Sequence, residues 1–183
     1  MDRTLMAKLI AWKDKPRRKP LILNGARQVG KTWLLKELGR TRFSNVAYIN
    51  LDHNAVMRDQ FELGYDIPRL ISAFQFETGE HIAEGETLII LDEIQECPRA
   101  LTSLKYFYEE APGYAIAAAG SLLGITIHDG TGYPVGKVET LDLFPMGFTE
   151  FLLATGNGNL AKLIAIDDPV MIDSFSSKLI PLL

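Results

Sequence analysis

Gly25-Ala26-Arg27-Gln28-Val29-Gly30-Lys31-Thr32 fits the pattern G-x-x-x-x-G-K-[ST]. Before it, Leu21-Ile22-Leu23 reads as a short apolar strand. After it, Trp33, Leu34, Leu35 and Leu38 recur at helical spacing, with Gly39 read as the end of that helix. Strand, glycine loop and helix in this order predict a loop that cradles phosphate groups. A tight loop turns many backbone N–H donors inward, and Gly25 and Gly30 allow the close approach that a Cβ would block. The first turn of the following helix adds unpaired N–H groups and the positive end of its dipole. The binding residues expected are therefore Gly25, Ala26, Arg27, Gln28, Val29, Gly30, Lys31, Thr32 and Trp33. Within this set Lys31 reaches the β- and γ-phosphates of a nucleoside triphosphate, and the Thr32 hydroxyl is a ligand for Mg²⁺.

Working outward from the loop, the chain alternates between two periods. Asn45-Val46-Ala47-Tyr48-Ile49-Asn50-Leu51 reads as a second strand, with Asp52-His53-Asn54 as its turn. Residues 55–86 carry apolar positions spaced for one or two amphipathic helices, with Leu70, Ile71 and Phe74 on one face. Thr87-Leu88-Ile89-Ile90-Leu91 is a continuous apolar run, as in a strand covered on both faces. Pro98 opens a helix through Leu101, Leu104, Phe107 and Tyr108. Residues 114–119 form a fourth strand and residues 137–143 a fifth. The segment 124–136, rich in glycine, is either a loop near the nucleotide or a surface hairpin between these two strands. Helical sequence resumes at Phe148, Phe151 and Leu152 and breaks at Gly156-Asn157-Gly158. Strands alternating with helices predict an α/β fold of the P-loop NTPase kind, a three-layer sandwich around a mostly parallel five-stranded sheet.

A second constellation ends the third strand. Asp92-Glu93 follows the aliphatic run, and the carboxyl end of a parallel strand opens on the crevice where such sheets bind ligands. Asp92 suits the outer shell of Mg²⁺, and Glu93 suits a general base that takes a proton from the attacking water. On its own an acidic pair at a strand end is a polar turn; downstream of a phosphate loop it gains meaning. Ser121, closing the fourth strand in Gly120-Ser121, is a candidate sensor of the γ-phosphate, or else a turn residue. The catalytic candidates are Glu93, Lys31 and Ser121, and the metal candidates are Thr32 and Asp92.

Composition sets limits on what else the chain can be. Its 183 residues are 47% hydrophobic, enough for one domain core of ordinary size, and the net charge of −4 gives no bulk attraction to nucleic acid. Lys13, Lys15, Arg17, Arg18 and Lys19 form a local basic run. It reads as a solvated lead into the first strand in preference to a nucleic-acid patch, with some side chains within reach of the nucleotide. Cys97 is the single cysteine, which excludes an intrachain disulfide and fits a reducing, cytoplasmic compartment. No apolar run is long enough to span a bilayer, so no membrane association is expected. His53, His81 and His128 have no mutual spacing that suggests a metal site.

G-A-R-Q-V-G-K-T, L-I-I-L-D-E-I-Q, A-A-G-S and V-E-T-L-D-L-F-P-M-G-F-T-E-F, in that order, resemble a widespread group of prokaryotic AAA-type ATP-binding proteins. The resemblance runs from about Pro20 to about Leu153. It implies an ATPase core over 20–153, a helical and basic lead-in over 1–19, and a helical segment over 154–183 leading to a further C-terminal domain. The terminal Leu179-Ile180-Pro181-Leu182-Leu183 is apolar, which fits a truncated chain whose missing domain or protein partner would cover it. Such proteins often carry Gly-Arg where this chain has Gly136-Lys137, and lysine lacks the bidentate fork of arginine. A charge-stabilising arginine is then sought in Arg27 or Arg99, or in a neighbouring subunit of a homo-oligomer.

The function expected is Mg²⁺-dependent ATP hydrolysis coupled to an attached domain or partner. A GTPase needs an N-K-x-D segment, which the chain lacks. A small-molecule kinase excludes water, against which the Asp92-Glu93 pair argues. The alternative from another class is a nucleotide-gated switch with little intrinsic hydrolysis, since P-loop domains without a stimulating arginine are slow.

Overall fold

A computed structural model of the chain describes residues 3–121, 133–166 and 169–175. Each expected strand forms: β1 Leu21–Gly25, β2 Asn45–Asn50, β3 Thr87–Asp92, β4 Ala115–Ser121 and β5 Glu139–Leu143. They lie in the order β2-β3-β4-β1-β5, and every pairing is parallel. All carboxyl ends therefore fall along one edge. β1 delivers the glycine loop there, β3 delivers Asp92 and Glu93, and β4 delivers Ser121 in register with Gly25.

Alternation along the strands divides the core into two layers. Ile22, Ile49, Ile89, Leu91, Ile116 and Ala118 face one side, packed against Met57, Phe61, Leu70, Phe74, Leu104 and Phe107. Those partners come from α3 Ala55–Glu62, α4 Ile67–Thr78 and α5 Pro98–Glu110. Leu21, Leu23, Leu88, Ile90, Ala117 and Ala119 face the other side, packed against α1 Leu5–Lys13 and α2 Lys31–Arg42. The sheet between two helical layers is the expected three-layer α/β arrangement. At roughly 25 cal/mol per Å² of apolar surface removed from water, these two faces dominate the favourable side of folding. Caps fix the helices between β2 and β3. The Asn54 side chain accepts the Met57 N–H at 3.0 Å, and that of Asp66 accepts the Arg69 N–H at 2.9 Å. Beyond β5 come α6 Phe148–Ala154, α7 Gly158–Ile166 and α8 Pro169–Ser174, the first two separated by the expected glycine break. Among the described residues no helix is long and apolar enough to cross a membrane.

Three expectations need correction. Gly39 does not end its helix, because α2 continues to Arg42. The glycine is there for contact: a Cβ at this position would collide with a methyl of Val46 on β2. The fourth and fifth strands are not paired with each other as a hairpin, since β4 and β5 flank β1 in parallel. Residues 124–132 of that segment, His128 among them, and the terminal run 179–183 lie outside the described residues. The basic run does not approach the loop. Lys15 pairs with Glu139 at 2.6 Å and the Arg18 guanidinium donates to the Lys13 carbonyl at 2.9 Å, both at the amino edge of β1 and β5.

Candidate functional site

The loop opens on a cleft of about 720 Å³ lined by Arg27, Gln28, Gly30, Lys31, Thr32 and Trp33, with Glu93 and Glu96 opposite and Asp52 and His53 at the rim. Backbone geometry makes the loop. Gly30 adopts φ +97°, a left-handed conformation that costs glycine little, and α2 starts at the next residue. Gly25 is required for another reason: a Cβ there would run into the Leu143 carbonyl oxygen of β5. Gln28, His53 and Glu93, with φ of 64°, 54° and 53°, are the non-glycine residues at positive φ among those described, and all three line this cleft. Such conformations cost on the order of 1–3 kcal/mol each and gather where surrounding structure holds a functional geometry.

Lys31 is 8% exposed, and its ammonium donates to the carbonyls of Gly25 at 3.0 Å and Ala26 at 2.7 Å. Burial lowers its pKa, opposed by the charges of Glu93 and Asp92 and reinforced by Arg27. The Thr32 hydroxyl donates to Asp92 Oδ2 at 2.7 Å, joining the first turn of α2 to the end of β3. The same oxygen accepts the Tyr48 hydroxyl at 3.0 Å, and Asp92 Oδ1 accepts the Glu93 N–H at 3.0 Å. Burial first, then the nearby charge of Asp92, pushes the Tyr48 phenol well above its ordinary value, so it remains a donor. A hydroxyl and a carboxylate at 2.7 Å form a hard-oxygen donor set. It fits a cation such as Mg²⁺ that takes its other ligands from phosphates and water. Among the described residues no group of three His, Cys, Asp or Glu side chains converges to make an all-protein metal cage.

The loop is also held from behind. Arg3, 7% exposed, donates to the Val29 carbonyl at 3.2 Å and the Phe144 carbonyl at 2.6 Å, with Glu150 of α6 at 3.4 Å from its Nε. Burial opposes ionisation of Glu150. Hydrogen bonds from the Thr4 N–H and hydroxyl and the Gly147 N–H, with the Arg3 charge, outweigh it and hold this carboxyl below its ordinary value. A second, largely apolar groove of about 300 Å³ adjoins the loop, walled by Val29, Trp33, Pro145 and Met146.

The expected site residues thus gather about the loop, though not all of them line the cleft. Arg27, Gln28, Gly30, Lys31, Thr32, Trp33 and Glu93 line the cleft. Gly25 and Ala26 hold the Lys31 ammonium, Val29 walls the groove, and Asp92 lies beneath Thr32. Ser121 closes β4, where its N–H reaches Gln95 Oε1 at 3.3 Å. Of the arginine candidates, Arg27 lines the cleft, whereas Arg99 donates to the Phe61 carbonyl and faces Glu62. Lys137 pairs with Glu109 at 2.9 Å near the amino end of β5, on the edge opposite the loop, so it has no place beside phosphates there. Sequence reading missed Asp52, His53, Tyr48, Gln95 and Arg3. The first two directly follow β2 at the carboxyl edge, which was a usable signal; nothing in the sequence marks Arg3.

The AAA domain family model matches residues 17–152. No curated protein sequence matches the chain. Among solved structures it is similar to a Walker-type ATPase of Pyrococcus abyssi, at 17% identity and a TM-score of 0.53 over 86% of this chain and 57% of that one. It is also similar to Drosophila ORC bound to DNA, at 17% identity and a TM-score of 0.52 over 84% of this chain and 44% of that one. The chain thus spans about half the length of these structures, and the likeness is one of fold.

Proposed function

The chain belongs to the AAA domain family, and from that premise we propose that it binds ATP with Mg²⁺ in the loop cleft and hydrolyses the β–γ phosphoanhydride. The movement that follows would be passed to an attached domain or protein partner. The observation that carries the reading is the Thr32–Asp92 hydrogen bond at 2.7 Å, which brings the two oxygen donors expected of a Mg²⁺ site together beside the loop. Bound there, the cation would supply positive charge to the β- and γ-phosphate oxygens. The loop N–H groups and the first turn of α2 bind the phosphate chain, and Lys31 trades its contacts with Gly25 and Ala26 for phosphate oxygens. Glu93 accepts the proton of the water that adds to the γ-phosphorus as ADP departs. Arg27 supplies charge in cis at the mouth of the cleft. The groove beside Trp33 offers apolar walls to the base.

A second reading has one observation in its favour. Arg99 is engaged by the Phe61 carbonyl and Glu62 and does not line the cleft, and P-loop domains without a stimulating arginine turn over slowly, as suits a nucleotide switch. One experiment tests both. Phosphate release should appear with ATP and Mg²⁺ and vanish in EDTA, and Lys31→Ala should lose calorimetrically detectable ATP binding at unchanged circular dichroism. Undiminished affinity in Lys31→Ala would sink the assignment of the cleft. Binding without phosphate release would favour the switch.

A further inference from the structure

Glu93 sits one residue past β3 with its backbone in a left-handed conformation, the single residue between the strand and the three-residue 3₁₀ turn Ile94–Glu96. Its N–H is fixed by Asp92 Oδ1 at 3.0 Å. Its carboxylate is fixed by Gln95. The Gln95 amide donates from Nε2 to Glu93 Oε2 at 2.5 Å, and its Oε1 accepts the Ser121 N–H at 3.3 Å. One side chain thus spans the ends of β3 and β4.

We propose that Gln95 is a positioning residue for hydrolysis, holding one oxygen of the Glu93 carboxylate so that the other faces water, and tying that carboxylate to the end of β4. The inference rests on the hydrolytic reading of Glu93. Its chemistry is restrictive. A carboxylate demands a donor and a backbone N–H demands an acceptor, so the bridging group must offer both, and this also fixes which end of the amide is nitrogen. Glutamate lacks the donor, lysine lacks the acceptor, and methionine lacks both. The spacing depends on local backbone. Residues two apart do not face each other on an α-helix. Here the left-handed Glu93 and the short 3₁₀ turn Ile94–Glu96, anchored by fully buried Ile94, bring the two side chains together. Ser121 contributes through its backbone, so the link does not depend on its hydroxyl.

Steady-state ATP hydrolysis by the whole chain tests this with Gln95→Met and Gln95→Glu, each also placed in a Glu93→Gln background. Gln95→Glu keeps the acceptor for Ser121 while setting a second carboxylate in place of the donor to Glu93, so with the neutral Gln95→Met it separates positioning from mere support of the turn. Both single variants should lower kcat about tenfold, as loss of a hydrogen bond to a charged group does, with KM for ATP and melting temperature unchanged. In the Glu93→Gln background neither should lower the residual rate further, because residues acting as a unit are not additive. Wild-type kcat in Gln95→Glu, additive losses in the double variants, or a raised KM at unchanged kcat would each overturn the proposal. A wild-type chain that releases no phosphate would overturn the hydrolytic reading and this inference with it. Turnover unaffected by either substitution would overturn the inference alone.

Discussion

Asp92 and Glu93 are chain neighbours with separate environments. Asp92 is 4% exposed and takes hydrogen bonds from Thr32, Tyr48 and the next N–H, whereas Glu93 opens on the cleft. Their conservative variants should therefore diverge. Glu93→Gln should keep ATP affinity and lose turnover by about 10²-fold or more, the usual cost of a lost general base. Asp92→Asn should instead weaken Mg²⁺-dependent binding by about 10–100-fold, the range for groups that support a metal site. Titration of nucleotide against Mg²⁺ with parallel phosphate release distinguishes them, and changes in thermal stability alone would make both residues structural. The loop and the acidic pair were legible as parts of the fold because a glycine loop between strand and helix is a backbone shape, so its sequence is nearly its geometry, and the pair marks the end of a buried strand. Tyr48, Gln95 and Arg3 were not. Each acts across the fold, and no periodicity links Arg3 to Val29 or Gln95 to Ser121.

At the scale of elements, the strands were legible because both sheet faces are covered, which leaves each buried strand a short apolar run. The misreading of Gly39 shows the limit. A glycine after an apolar helix face signals a C-cap locally, yet here it answers to a strand six residues or more further on. Gly39→Ala makes the point measurable. Alanine favours a helix by about 1 kcal/mol, but overpacking against the stiff Val46 side chain costs about 1–3 kcal/mol. The variant should be less stable to denaturant. In a Val46→Ala background, where the colliding methyl is gone, the same substitution should become stabilising. A Gly39→Ala change of equal sign in both backgrounds would deny the contact.

At the scale of the whole molecule, the proposed site gathers, among the described residues, at one edge of the sheet. At the other, Lys15–Glu139 and Lys137–Glu109 pair across the amino edge in exposed contacts that solvent screens. Ligand should therefore stabilise the fold through the loop edge. At nucleotide one hundredfold above its Kd, with Mg²⁺, linkage adds about 2.7 kcal/mol. For a chain of this size that raises the melting temperature by roughly 5–10 °C. EDTA should remove most of the shift, and a shift indifferent to chelation would place binding elsewhere. The two tryptophans divide along the same axis. Trp12 is wholly enclosed on α1, its indole N–H bonded to the Lys19 carbonyl at 2.8 Å, while Trp33 stands 40% exposed between the cleft and its groove. The chain thus carries two optical reporters with separate assignments: blue-emitting Trp12 for the integrity of the fold, red-emitting Trp33 for occupancy of the cleft. Nucleotide should quench or blue-shift only the red component, a response that Trp33→Phe should erase and Trp12→Phe should leave in place.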